Sequence, residues 1–257
     1  MGRRPKISRS CPRVGDGFGS SLHSGLVGSS MILVTAPERS RLLDAIEAQF
    51  RQEFGGGGLR YFFAPGRINL VGAHLDYSGG DVMPMAVDRG ISLGIRLRDD
   101  GQIRLRSVDQ EIAIDVAAAD VGDHAQAGWG WGNYPLGIFR SFQRDHGAQQ
   151  GFEAVYAGDL PMASGLSSSA AIEVVTAIAL DALLATGIGR EQIASMAHRA
   201  ENDFVGVRCG IMDQYASALG EPGHVLWLHC QGPAGSMYRL TPRRAKCWSW
   251  IPRSRVS

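Results

Sequence analysis

From Glu38 the apolar residues Leu42, Leu43, Ile46 and Phe50 recur at helical spacing beside charged neighbours, so the pattern predicts an amphipathic helix running to about Phe54. The glycine run Gly55–Gly58 ends it. Leu59–Ala64 then reads as a strand, and Ile91–Arg98, Gln102–Ser107 and Glu111–Val116 follow as strands with β-branched alternation. Asp99-Asp-Gly101 predicts a hairpin turn between two of them. Helical spacing returns over Trp131–His146, a further strand is predicted over Phe152–Asp159, and helices over Ser168–Leu184, Arg190–Phe204 and Ile211–Leu219. Strands come first and helices cluster later, an order that favours α+β over a regularly alternating α/β sheet.

The two ends differ from this middle. Residues 1–30 mix Arg, Ser, Gly and Pro without apolar periodicity, which predicts a disordered basic extension: an over-read upstream of a natural start at Met31, or a basic targeting peptide. Residues 231–257 hold six basic side chains and no acid, with no helix or strand period, and read as an irregular tail left by a frameshift or truncation near Gln231, or as a basic interaction tail. The overall charge of +1 therefore hides a net −9 over residues 31–230, the expected folded domain. An acidic domain argues against nucleic acid as a partner. No apolar run reaches the ~18 residues of a membrane span, and no secretory leader is recognisable. The chain is expected in the cytoplasm, with Cys11, Cys209, Cys230 and Cys247 as free thiols and no obligate protein partner.

Chemistry is concentrated in three segments. The first, Ala64–Gly80, packs Arg67, Asn69, His74 and Asp76 among small and turn-forming residues, which suits a small-molecule site on a turn better than a core. The second, Leu160–Ala171, joins a predicted strand to a predicted helix and reads Leu-Pro-Met-Ala-Ser-Gly-Leu-Ser-Ser-Ser-Ala-Ala. A helix opening of this kind points free backbone N–H groups at a phosphate. No Lys follows the serines, so it is not a Walker A loop. The third, Glu201–Gln214, carries Glu201 and Asp213, two carboxylates suited to phosphoryl transfer. Asp213 is set beside Ile211 and Met212, where partial desolvation calls for a neighbouring cation, and Arg67 is a candidate.

Together these segments resemble the sugar kinases of the GHMP superfamily, galactokinases most closely. The resemblance, from about Leu59 to Leu228, implies a GHMP kinase N-terminal domain of the ribosomal protein S5 domain 2-like fold over residues 31–230. The C-terminal domain of that superfamily is expected to be essentially absent. It also implies ATP and Mg2+ as cofactors, with Asp213 and Arg67 catalytic. His74, Asp76 and Gly210 would bind the sugar; Pro161, Gly165, Leu166, Ser167, Ser168, Ser169 and Ala170 the nucleotide; Ser168 and Glu201 the metal.

One position departs from the family pattern Gly-Glu-His-x-Asp-Tyr: Ala73 stands where the acid precedes the histidine. Loss of that carboxylate weakens the case for galactose and makes room for a sugar that carries its own negative charge, such as galacturonate. The expected function is ATP-dependent phosphorylation of the anomeric hydroxyl of galactose or a related sugar, with two alternatives: a galacturonate 1-kinase, and a non-catalytic sugar sensor or inactive fragment.

Overall fold

The computed structural model describes residues 37–160, 165–231 and 234–239. Expectations for residues 1–30, for Pro161 in the serine loop and for most of the basic tail lie outside them.

Helix α1 (Pro37–Phe54) forms where the apolar spacing places it and stops at Gly55, whose φ of 77° ends the helical path. Seven further elements complete the first half: β1 (Arg60–Asn69), β2 (Asp81–Val82), β3 (Pro84–Arg98), β4 (Gln102–Ser107), β5 (Ile114–Ala117), α2 (Asn133–His146) and β6 (Gly151–Gly158). Then follow α3 (Ser168–Leu184), α4 (Arg190–Arg199), α5 (Met212–Leu219), β7 (His224–His229) and β8 (Ala234–Arg239).

Five strands make one mixed sheet in the order β1-β3-β6-β4-β5, in which only β4 and β6 run parallel. The sheet is covered on both sides, so β6 is buried at seven successive positions. Phe152, Ala154 and Tyr156 face α2–α5 in the main core, while Val155 and Ala157 pack under Ile46 and Phe50 of α1. This layering confirms the α+β class.

Three expectations are corrected. Asp99–Gly101 does reverse the chain, but β3 and β4 are not a hairpin, because β6 lies between them and pairs with both. The predicted helix over 190–204 is α-helical only to Arg199; Ala200–Val205 is a π-helical turn. Strand structure also resumes beyond Cys230, where β8 pairs antiparallel with β7 in a second sheet ordered β2-β7-β8. In that stretch a two-residue period is short and flanked by glycines, so the pattern is weak in sequence.

Candidate functional site

Strand β1 slips register against β3 between Pro65, paired with Gly90, and Arg67, paired with Ala86, so that Gly66 alone stands opposite residues 87–89. Helix α5 is fastened to the same point, since Ser217 Oγ donates to the Pro65 carbonyl at 2.8 Å. One turn earlier on α5, Asp213 meets Arg67: Nε donates to Oδ1 at 2.6 Å, across 146 residues of sequence. Both side chains are mostly shielded from solvent, at 14% and 24% exposure, so this ion pair is stronger than a surface one.

The C-terminal part of the serine loop closes on this pair. Arg67 Nη1 donates to the Gly165 carbonyl at 2.6 Å, and the Arg67 amide donates to the Leu166 carbonyl at 3.2 Å. Gly66 makes the approach feasible, because a Cβ there would lie 2.7 Å from the Leu166 oxygen. Ser167 Oγ donates to Asp213 Oδ2, so the hydroxyl that the sequence offered to a phosphate is engaged by a carboxylate. Ser168 and Ser169 open α3, and Ser168 is exposed.

The turn that carries His74 and Asp76 is tied down by backbone bonds from Gly80 to Leu75 (2.9 Å) and from Cys230 to Gly80 (3.2 Å). His74 is exposed and adopts φ 65°, unusual for a side-chain-bearing residue. Asp76 begins a single 3-10 turn and leans against Gly210: a Cβ on Gly210 would fall 2.2 Å from Asp76 Oδ2. Glycine at 210 therefore lets the Asp76 carboxylate reach the segment that leads into Asp213. Burial, followed by the charges of Asp76 and Asp81, pushes the nearby Cys230 thiol up to about 11.

Behind Asp213 lies a buried acidic group. Gln214 Nε2 donates both to Glu201 Oε2 and, at 3.3 Å, to Glu173 Oε2, while Cys209 Sγ donates to Glu201 Oε2 at 3.3 Å. Burial drives the Glu173 carboxyl well above the usual carboxylate range, with Glu201 and Asp213 adding to it and Gln214 opposing. Burial and then Glu201 raise the Cys209 thiol to about 12. Tyr134, at the start of α2, is raised by burial and by Glu201, Glu173 and Cys209. The sequence reading passed over Glu173, Gln214 and Tyr134. Only the oddity of a Glu inside the apolar run Ala-Ala-Ile-Glu-Val-Val of α3 signalled the first.

These residues fit a divalent cation by donor type. Ser168 and Glu201 offer hard oxygens, and the crowding of Glu173, Glu201 and Asp213 is an excess of negative charge that a cation would offset. The buried Glu173 Oε1 and Gln214 Oε1 lack hydrogen-bond partners. Among the described residues no group of three or more His, Cys, Asp or Glu side chains is arranged to hold a metal by itself. A cation there would need oxygens from its substrate as well. No helix among the described residues is long and apolar enough to cross a membrane.

Comparison with known proteins adds three findings. Residues 133–221 match the description GHMP kinases N terminal domain, and residues 48–97 match the galactokinase galactose-binding signature. Galactokinase of Bacillus subtilis (strain 168) is 40% identical over 180 residues, which are 67% of this chain and 45% of that protein. Galactokinase of Clostridium tetani is 35% identical over 189 residues, 73% of this chain and 48% of that one. The crystal structure of Lactococcus lactis galactokinase complexed with galactose superposes with a TM-score of 0.73 at 34% identity, covering 77% of this chain and 52% of that chain. The chain thus spans about half the length of the curated relatives it matches.

Proposed function

Because this chain belongs to the galactokinase family of the GHMP sugar kinases, we propose that it supplies the acceptor side of a cleft in which ATP phosphorylates the anomeric hydroxyl of galactose or a closely related sugar. The observation that carries this reading is the Arg67–Asp213 pair seated against Gly165, Leu166 and Ser167, which brings a carboxylate, a guanidinium and a helix opening to one place. Phosphoryl transfer asks little covalent chemistry of a protein and much positioning and charge.

In the reaction the sugar's anomeric oxygen bonds to the γ-phosphorus, the bond to the bridging oxygen breaks, and ADP leaves. Asp213 accepts the hydroxyl proton or steadies the charge that builds on that oxygen. Arg67 fixes one oxygen of Asp213 and lends positive charge beside the reacting group. His74 and Asp76 bind sugar hydroxyls, each charge-assisted bond contributing ~1.5–3 kcal/mol. The amides opening α3, with Gly165, Ser169 and Ala170, receive phosphate oxygens. Magnesium, held by Ser168 and Glu201, would neutralise phosphate charge. A need for ATP and free sugar fits activity in the cytoplasm.

Ala73 favours a second substrate reading. It is an exposed, uncharged residue beside His74, where the family pattern has an acid, and it leaves space and charge for a uronate such as galacturonate. Coupled measurement of ADP release with galactose and with galacturonate separates the two substrates, and no release with either defeats the kinase reading. In the same assay Asp213→Asn should lower turnover by about 10²–10⁴ while calorimetric MgATP affinity is kept. Equal losses in both would make Asp213 a structural residue.

A further inference from the structure

Ser167 occupies the N-cap position of α3, yet its hydroxyl makes no capping bond. A serine there ordinarily satisfies one of the free amides of the first turn. Here the backbone is left-handed, with φ 59° and ψ 57°, a conformation unfavourable for a residue with a Cβ. That geometry sends the hydroxyl to Asp213 Oδ2, the oxygen that Arg67 Nε does not take. The two preceding residues are tied to Arg67 through their carbonyls. Three consecutive loop residues are thus fastened to a single charge pair.

An aspartate carboxylate turns readily about its Cβ–Cγ bond, because that torsion has no sharp staggered wells. One donor on Oδ1 alone leaves the rotation open. A second donor on Oδ2 closes it, and each oxygen keeps a lone pair for another donor. We propose that Ser167 is a positioning residue for Asp213: its hydroxyl, with Arg67, fixes the plane of the carboxylate that meets the sugar, and leaves the first-turn amides of α3 to the phosphates. The inference rests on the sugar-kinase reading for the role of Asp213, and it moves Ser167 from the nucleotide to the carboxylate.

Ser167→Gly deletes the hydroxyl and suits the left-handed backbone, so it separates the contact from the fold. Ser167→Ala deletes the hydroxyl and keeps the unfavourable backbone. The first readout needs no ligand: in NMR spectra of the full chain, the Arg67 Nε–H signal should exchange with solvent about tenfold faster in both variants, with the amide spectrum otherwise conserved. An unchanged Arg67 signal overturns the proposal.

The second readout is calorimetry with MgATP, galactose and galacturonate. Ser167→Gly should keep MgATP affinity within about twofold and lose about tenfold in affinity for whichever sugar the parent binds. The reverse pattern would make Ser167 a phosphate ligand and overturn the proposal, as would unaltered affinity for both ligands. A parent chain that binds neither ligand defeats the kinase reading, and the Arg67 signal then decides the clamp by itself.

Discussion

At the scale of single residues, the groups legible in sequence were those in segments whose pattern packing does not explain. Arg67, His74 and Asp76 stand among glycines and turn-forming residues, and Asp213 is a charge set beside Ile211 and Met212. Glu173 and Gln214 were hidden because they sit in helices that otherwise read as core, and only the folded chain brings them to Glu201. Glu173 has a measurable consequence. Its proton affinity is raised in the folded chain by burial first and by Glu201 second, whereas an unfolded Glu titrates near ~4.3. Between that value and the raised one the native state binds more protons, so its contribution to stability is present at low pH and is lost as pH rises. The loss is limited to about 1.4 kcal/mol per pH unit for one group. Denaturant midpoints measured from pH 4.5 upward should therefore fall with pH in the parent and fall less in Glu173→Gln. Parallel curves for the two proteins would contradict a raised carboxyl at this position.

At the scale of elements, helix positions were readable because each carries its own period over many residues, and α3 was delimited from Ser168 to Leu184 by sequence and structure alike. Strand partners were not, because a turn such as Asp99–Gly101 shows where a chain reverses and says nothing of what enters beside it. The same limit applies to the turn carrying His74 and Asp76, whose residues gave no hint that it rests on the segment before α5. That contact depends on the missing side chain of Gly210. Gly210→Ala places a methyl group 2.2 Å from Asp76 Oδ2 in the present geometry, so the Asp76 turn must move away from α5. Crowding of this kind costs roughly 1–3 kcal/mol where backbone has to shift. Because Asp76 lies on a partly exposed turn that can yield, the loss should appear in sugar affinity, by about tenfold or more, with the thermal midpoint little changed. A large drop in midpoint with intact sugar affinity would assign Gly210 to packing instead of to the site.

At the scale of the whole molecule, the site exists only as a product of the fold. Arg67 comes from β1, Ser167 from the entry to α3 and Asp213 from α5, and the Arg67–Asp213 bond spans 146 residues. A resemblance could name these residues from sequence, but their contact depends on the register shift between β1 and β3 at Gly66 and on the Ser217–Pro65 bond that aligns α5 with it. Ligands that touch all three segments should therefore bind the native state and not the unfolded chain, and binding of that kind stabilises by mass action. At one hundred times its dissociation constant a ligand adds ~2.7 kcal/mol, which for a domain of this size raises the midpoint by roughly 5–10 °C. MgATP and the accepted sugar should each raise the thermal midpoint of this chain, although it spans about half the length of its curated relatives. Asp213→Asn should keep most of the MgATP shift, since the carboxylate is proposed to face the acceptor, and lose most of the sugar shift. A midpoint that ignores both ligands at millimolar concentration would mean that these segments meet without forming a competent cleft.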